Sequence, residues 1–142
     1  MTDKLYFTGK TRNIGGRNGS TRSSDGSLDL KLSEPHPMAE NLFGAAWSAC
    51  YMGAIELAAK ERKIKLPAPP AVDAEISLLH GGPKGFFLKA RLDVSVPGLD
   101  KDVVRLLADA AHGICPYSKA VHGNIDVETN VADPVDAELN AA

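Results

Sequence analysis

An α+β fold is predicted from three features of the chain. Residues 42–55 are apolar or small at almost every position, which reads as one long helix buried on all sides. Residues 72–78 and 88–96 alternate apolar and polar side chains, the pattern of strands with one buried and one wet face. Short links rich in Gly and Asn join most strand-like segments, which favours hairpins and antiparallel sheets packed around a central helix.

The bulk composition narrows the function classes. At 142 residues the chain is read as one domain, able to bury a real core. A formal net charge of −2 offers no electrostatic case for a nucleic acid or an anionic membrane as partner. The start, Met1-Thr2-Asp3-Lys4-Leu5-Tyr6, lacks the basic and apolar segments of a signal peptide, so a cytoplasmic protein is expected. In that compartment two cysteines suggest redox or metal chemistry rather than a structural staple.

Each element has its own signal. Residues 5–12 read as a first strand on the β-propensity of Tyr6, Phe7 and Thr8, and Asn18-Gly19 as a hairpin turn. Residues 20–24 and 27–32, separated by Asp25-Gly26, complete a three-stranded meander. Pro37 is placed to open the long helix, whose centre is Cys50. The helix is too short and interrupted for a comfortable membrane span, so it is expected in the core.

Prolines 67, 69 and 70 mark its exit. A long hairpin turning at residues 81–85 follows. Asp100 is a plausible cap for a second helix with apolar Val103, Leu106, Leu107, Ala110 and Ala111, and Gly113 is expected to stop it. Cys115-Pro116 opens a short helical turn, residues 125–128 alternate as a last strand, and the acidic tail after Ala132 is read as loose.

The two cysteines differ in setting. Cys50, mid-helix, has the surroundings of an inert packing thiol, since reactive cysteines need an electropositive, partly exposed place. Cys115, before a proline, stands where unpaired N–H groups favour a thiolate, although a plain loop cysteine fits equally well. His112 and Cys115 are three apart, but His36, His80 and His122 form no matching pair, which speaks against a four-ligand metal site. No Cys-x-x-Cys is present. Arg17 reads as an exposed turn residue and Glu40 as a first-turn acid suited to the helix dipole.

Four blocks in order carry a further signal: Gly15-Gly16-Arg17-Asn18-Gly19, Leu42-Phe43-Gly44-Ala45-Ala46-Trp47-Ser48-Ala49-Cys50, Ile114-Cys115-Pro116-Tyr117-Ser118 and Gly123-Asn124-Ile125-Asp126-Val127. Together they resemble the organic hydroperoxide resistance (Ohr) branch of the Ohr/OsmC family, from about Leu5 to Val127. The resemblance implies an Ohr/OsmC-like fold, an intertwined homodimer and a thiol-dependent peroxidase acting on organic hydroperoxides. It implies Cys50 as the peroxidatic cysteine, Cys115 as the resolving one, and Arg17 and Glu40 as the groups that hold the thiolate. No bound cofactor is implied; the reductant is an external dithiol of dihydrolipoyl type, such as a lipoylated protein. Phe43, Ala46, Trp47, Tyr51 and Met52 flank Cys50 and are expected to give the site an apolar lining. The chain departs from the family pattern at Met38-Ala39, at Trp47 in place of tyrosine and at His122 in place of arginine. A redox-sensing or binding module using the same cysteine pair as a switch is the alternative from another class.

Overall fold

Local hairpin chemistry builds the first part of the chain and a helix-covered sheet the rest. The computed structural model describes residues 3–32 and 39–132. Two compact units divide between Leu42 and Phe43. Pro37 and the tail after Ala132 lie outside the described residues.

The first unit carries strands β1 (Thr11–Ile14), β2 (Ser20–Ser23) and β3 (Asp29–Lys31), paired antiparallel in that order. Residues 5–10, expected in the first strand, are irregular. β1 and β2 close at Ile14 and Ser20 over a five-residue loop rather than a two-residue Asn-Gly turn. Gly15 and Gly16 take φ of 81° and 66° there, and a Cβ on Gly19 would run into the Ile14 carbonyl. Across β2 and β3, Asp25 accepts from Ser23 and Ser27 and Gly26 turns the chain at φ 76°. Among the described residues of the three strands, Thr21 alone is buried.

Helix α1 (Ala39–Glu61) begins at the end of this unit and runs into the second. Its buried positions are Gly44, Trp47, Ser48, Tyr51, Ala54, Ile55, Ala58 and Ala59, which recur at three and four residues and mark a single face. The expectation of burial on all sides is therefore corrected. Ala45, Ala46, Ala49, Gly53 and Leu57 are exposed. The sequence hid this because both faces are apolar, so no polar stripe marks the outer one. Length and composition would let α1 cross a membrane, yet Trp47, Tyr51 and Ile55 are fully enclosed by protein.

The helix ends in a Schellman turn. Ile64 N–H reaches the Ala59 carbonyl at 2.9 Å and Lys63 N–H the Lys60 carbonyl at 3.1 Å. Lys63 holds the left-handed position, φ 57°, that glycine normally fills. Lys63→Gly is expected to stabilise the fold by about 1 kcal/mol in urea titrations; an unchanged midpoint would show that the lysine is not strained.

In the second unit, β4 (Ala71–His80) and β5 (Phe86–Ser95) form the long hairpin, from Ala71 opposite Ser95 to His80 opposite Phe86. Helix α1 lies close on β4, since a Cβ on Gly44 would stand 3.3 Å from Ile76 Cγ1 and 3.6 Å from Ala74 Cβ. Asp100 caps α2 (Lys101–Ile114) by accepting from Asp102 N–H at 3.3 Å. Gly113 does not stop this helix. It continues to Ile114 and ends at Cys115, because a residue before proline is driven out of the helical region, here to φ −66° and ψ 118°.

A short helix, α3 (Pro116–Val121), and strand β6 (Asp126–Val131) complete the unit. β6 pairs parallel to β5, so the second sheet is mixed rather than wholly antiparallel. Two helices on the crossover make that pairing possible. Leu92 and Val94 of β5, Leu107 and Ala111 of α2, and Trp47, Tyr51 and Ile55 of α1 form its core.

Candidate active site

The two cysteines meet where α1 passes the junction of α2 and α3. Pro116 fixes the first turn of α3, so Cys115 becomes its cap, and Cys115 Sγ accepts the Ser118 N–H at 3.4 Å. Across from it Cys50, in the middle of α1, places its Sγ 3.4 Å from Cys115 Sγ. Both are free thiols. Their exposure reverses the sequence expectation: Cys115 is 0% exposed, whereas Cys50 is half-buried. Cys50 packs against the core while keeping part of its surface exposed.

Burial raises the Cys50 pKa above its ordinary value, and the hydrogen bond and nearby charge of Cys115 push the same way. The Tyr117 backbone N–H, at the start of α3, acts in the opposite direction. Left to these neighbours, the Cys50 thiol keeps its proton at neutral pH.

In the first unit, Arg17 sits in the 3-10 turn Gly16–Asn18 and Glu40 in the first turn of α1. One guanidinium nitrogen, Nη1, spans both carboxylate oxygens, at 2.7 Å from Oε1 and 3.1 Å from Oε2. The hydrogen bond from Arg17 holds the Glu40 carboxyl below the usual carboxylate range. The turn residue and the first-turn acid, unrelated in the local pattern, are thus an ion pair.

The residues expected to line the site divide in two. Trp47 and Tyr51 are enclosed by the chain, at 1% and 0% exposure, with Trp47 Nε1 donating to Ser118 Oγ and Tyr51 Oη to the Ala108 carbonyl at 2.7 Å. Phe43, Ala46 and the half-buried Met52 present surface, and Phe43 meets Trp47 edge to face with ring centroids 5.9 Å apart.

Residues missed in the sequence stand behind the cysteines. His112, weighed there only as a metal ligand, bonds Ser118 Oγ through Nδ1 and Thr129 Oγ1 through Nε2, at 2.9 and 2.8 Å. The only signal was spacing, with His112 three residues before Cys115 and Ser118 three after.

Comparison with known proteins converges on one family. A family model described as OsmC-like protein matches residues 32–130. The organic hydroperoxide resistance protein of Xanthomonas axonopodis pv. citri is 38% identical over 139 residues, 92% of this chain and 97% of that protein. The crystal structure of the organic hydroperoxide resistance protein OhrB of Bacillus subtilis matches with a TM-score of 0.83 at 36% identity, over 89% of this chain and 98% of that one. A Legionella pneumophila crystal structure, described as an organic hydroperoxide resistance protein OsmC, gives 0.84 at 35% identity over 91% and 99%. The α+β fold is that of these structures, and the chain belongs to the OsmC-like family, within its organic hydroperoxide resistance branch.

Proposed function

We propose that this chain is a thiol-dependent peroxidase that reduces organic hydroperoxides to alcohols. The observation that carries the reading is the pair of free thiols with sulfurs 3.4 Å apart, in a chain whose relatives are organic hydroperoxide resistance proteins. The half-buried Cys50 is the nucleophile. Its thiolate attacks the terminal peroxide oxygen, the O–O bond breaks, and the alkoxide leaves and takes up a proton as the alcohol. The Cys50 sulfenic acid then condenses with Cys115, which guards it against further oxidation. An external dithiol of dihydrolipoyl type, such as a lipoylated protein, reduces the disulfide.

Only a thiolate attacks peroxide well, and burial and Cys115 hold Cys50 protonated. A cation brought to the sulfur would favour the thiolate. Arg17 supplies it, held by Glu40, and its guanidinium also meets charge building on the departing alkoxide. The protein works as a homodimer in the cytoplasm. Two features support the dimer: the β1–β3 meander buries one residue among those described, and α1 exposes an apolar face of Ala45, Ala46, Ala49, Gly53 and Leu57. A three-stranded sheet needs a buried face to be stable.

Apolar residues beside Cys50 set the substrate. Hydrogen peroxide gains nothing from Phe43, Ala46 and Met52, whereas an alkyl chain gains about 0.8 kcal/mol for each methylene it buries. Three or four buried methylenes correspond to roughly a hundredfold in kcat/KM. With dihydrolipoamide as reductant, tert-butyl, cumene and fatty-acid hydroperoxides should be consumed faster than hydrogen peroxide, the long chains best. A flat series would remove the apolar lining from the account. Failure of any hydroperoxide to turn over would leave the cysteine pair as a redox switch.

A further inference from the structure

Ser118 links the Cys115 sulfur, through its backbone N–H, to a buried side-chain network that reaches α1 through its hydroxyl. Ser118 stands three residues after Cys115, and its backbone N–H reaches Cys115 Sγ at 3.4 Å. Its Oγ receives the Trp47 indole N–H at 3.0 Å. Trp47 precedes Cys50 by three residues, nearly one turn of α1, so the two share a side of the helix. The same Oγ lies 2.9 Å from His112 Nδ1, and His112 Nε2 lies 2.8 Å from Thr129 Oγ1. One chain of hydrogen bonds thus joins α1, α3, α2 and β6, and Trp47 and Ser118 are buried at 1% and 5% exposure.

One tautomer of His112 satisfies every link of that chain. An indole nitrogen only donates, so Ser118 Oγ is the acceptor of that bond and its own hydrogen is free to reach His112 Nδ1. With the ring proton on Nε2, Nδ1 accepts that hydrogen and Nε2 donates to Thr129 Oγ1. Every link is satisfied with a neutral imidazole. A protonated ring would aim a second N–H at Ser118 Oγ and strand the buried hydroxyl hydrogen.

The groups facing His112 come from each neighbouring element. They are the Tyr51 ring of α1 at 4.5 Å, Asp109 of α2 with Arg105 beside it at 3.5 Å, and His122 at the end of α3. Burial, the largest influence, and His122 lower the His112 pKa, while Asp109 raises it. A cavity of about 330 Å³ lined by His112, Ser118 and His122 adjoins the network.

We infer that Ser118 and His112 are positioning residues for disulfide closure, holding Cys115 Sγ within reach of Cys50 Sγ for as long as His112 is neutral. The inference rests on the peroxidase reading of the two cysteines. In the step concerned, the Cys115 thiolate attacks the sulfur of Cys50 sulfenic acid. The S–S bond forms, the S–O bond breaks, and hydroxide leaves and becomes water with one proton. Cys115 is oxidised, and the Cys50 sulfur, oxidised by the hydroperoxide before, is partly reduced. A second hydroperoxide competes by converting the sulfenic to the sulfinic acid.

The test follows that competition by rapid mixing with cumene hydroperoxide and intact-mass analysis of the full chain. In Ser118→Ala and His112→Leu, sulfenic acid should form at close to the wild-type rate, which also reports an intact fold. Closure should slow by roughly ten- to a hundredfold, the usual effect of a small misplacement of reacting atoms, and sulfinic acid should accumulate. Ser118→Thr keeps the hydroxyl and His112→Asn keeps an acceptor near the Nδ1 position, so both should restore closure. As pH falls below the ordinary histidine range, wild-type closure should slow more than that of His112→Asn, whose side chain does not titrate. Closure at the wild-type rate in Ser118→Ala, or a His112→Asn variant as slow as His112→Leu, would overturn the inference alone. Wild-type protein that formed neither sulfenic acid nor disulfide would overturn the peroxidase reading and this inference together.

Discussion

Cys50→Ser is expected to abolish hydroperoxide consumption, whereas Cys115→Ser should react once and then over-oxidise at Cys50. The difference follows from reach. Cys50 is half-buried on α1, while Cys115 is fully enclosed with its sulfur held by the Ser118 N–H. A hydroperoxide therefore meets Cys50 first. With Cys115 replaced, the sulfenic acid has no partner at 3.4 Å and waits for a second hydroperoxide or a reductant thiol. Intact mass after one equivalent of hydroperoxide should show one added oxygen in Cys115→Ser and none in Cys50→Ser. Excess hydroperoxide should then add a second oxygen to Cys115→Ser. Oxidation of Cys115 in the Cys50→Ser protein would reverse the two roles.

Much of the fold was legible because local patterns and tertiary demands agreed. β4 and β5 alternate because each buries one face, and their register in the hairpin keeps that alternation. Asp100 and Cys115 were legible as caps because Asp before a helix and a residue before proline act through local chemistry. Other features were set by partners that a local window does not contain. Tyr6, Phe7 and Thr8 suggest a strand, yet β1 lies further on at Thr11–Ile14, where β2 supplies its hydrogen bonds. The parallel pairing of β6 with β5 is likewise decided by how the crossover packs.

The candidate site divides along the same line. The helix start at Cys115 was readable from Pro116, but its burial was not, because the core it joins draws on α1, α2 and β5. The Arg17–Glu40 pair spans 23 positions and rests on a loop that only the glycines around Arg17 hint at.

Arg17→Ala should slow the peroxide step by about 10²–10³, the usual loss when one preorganised charge-stabilising donor is removed. Burial and the adjacent Cys115 raise the Cys50 pKa, so without a cation most of the sulfur is thiol at neutral pH. A guanidinium beside the sulfur favours the charged form and lowers that pKa; its removal must raise it. The variant should accordingly recover rate as pH rises, along a profile displaced to higher pH than wild type. Glu40→Gln should cost less, because Glu40 orients the guanidinium without touching sulfur. The Glu40 pKa is depressed by its bond from Arg17, so the pair's contribution is full above the unfolded carboxylate pKa of about 4.3. It is lost only as pH falls through the lower, folded value, and near neutrality Glu40 stays ionised. Stopped-flow rates of Cys50 oxidation across pH separate the two residues. An Arg17→Ala protein with wild-type rate and profile would return Arg17 to a plain turn residue paired with Glu40.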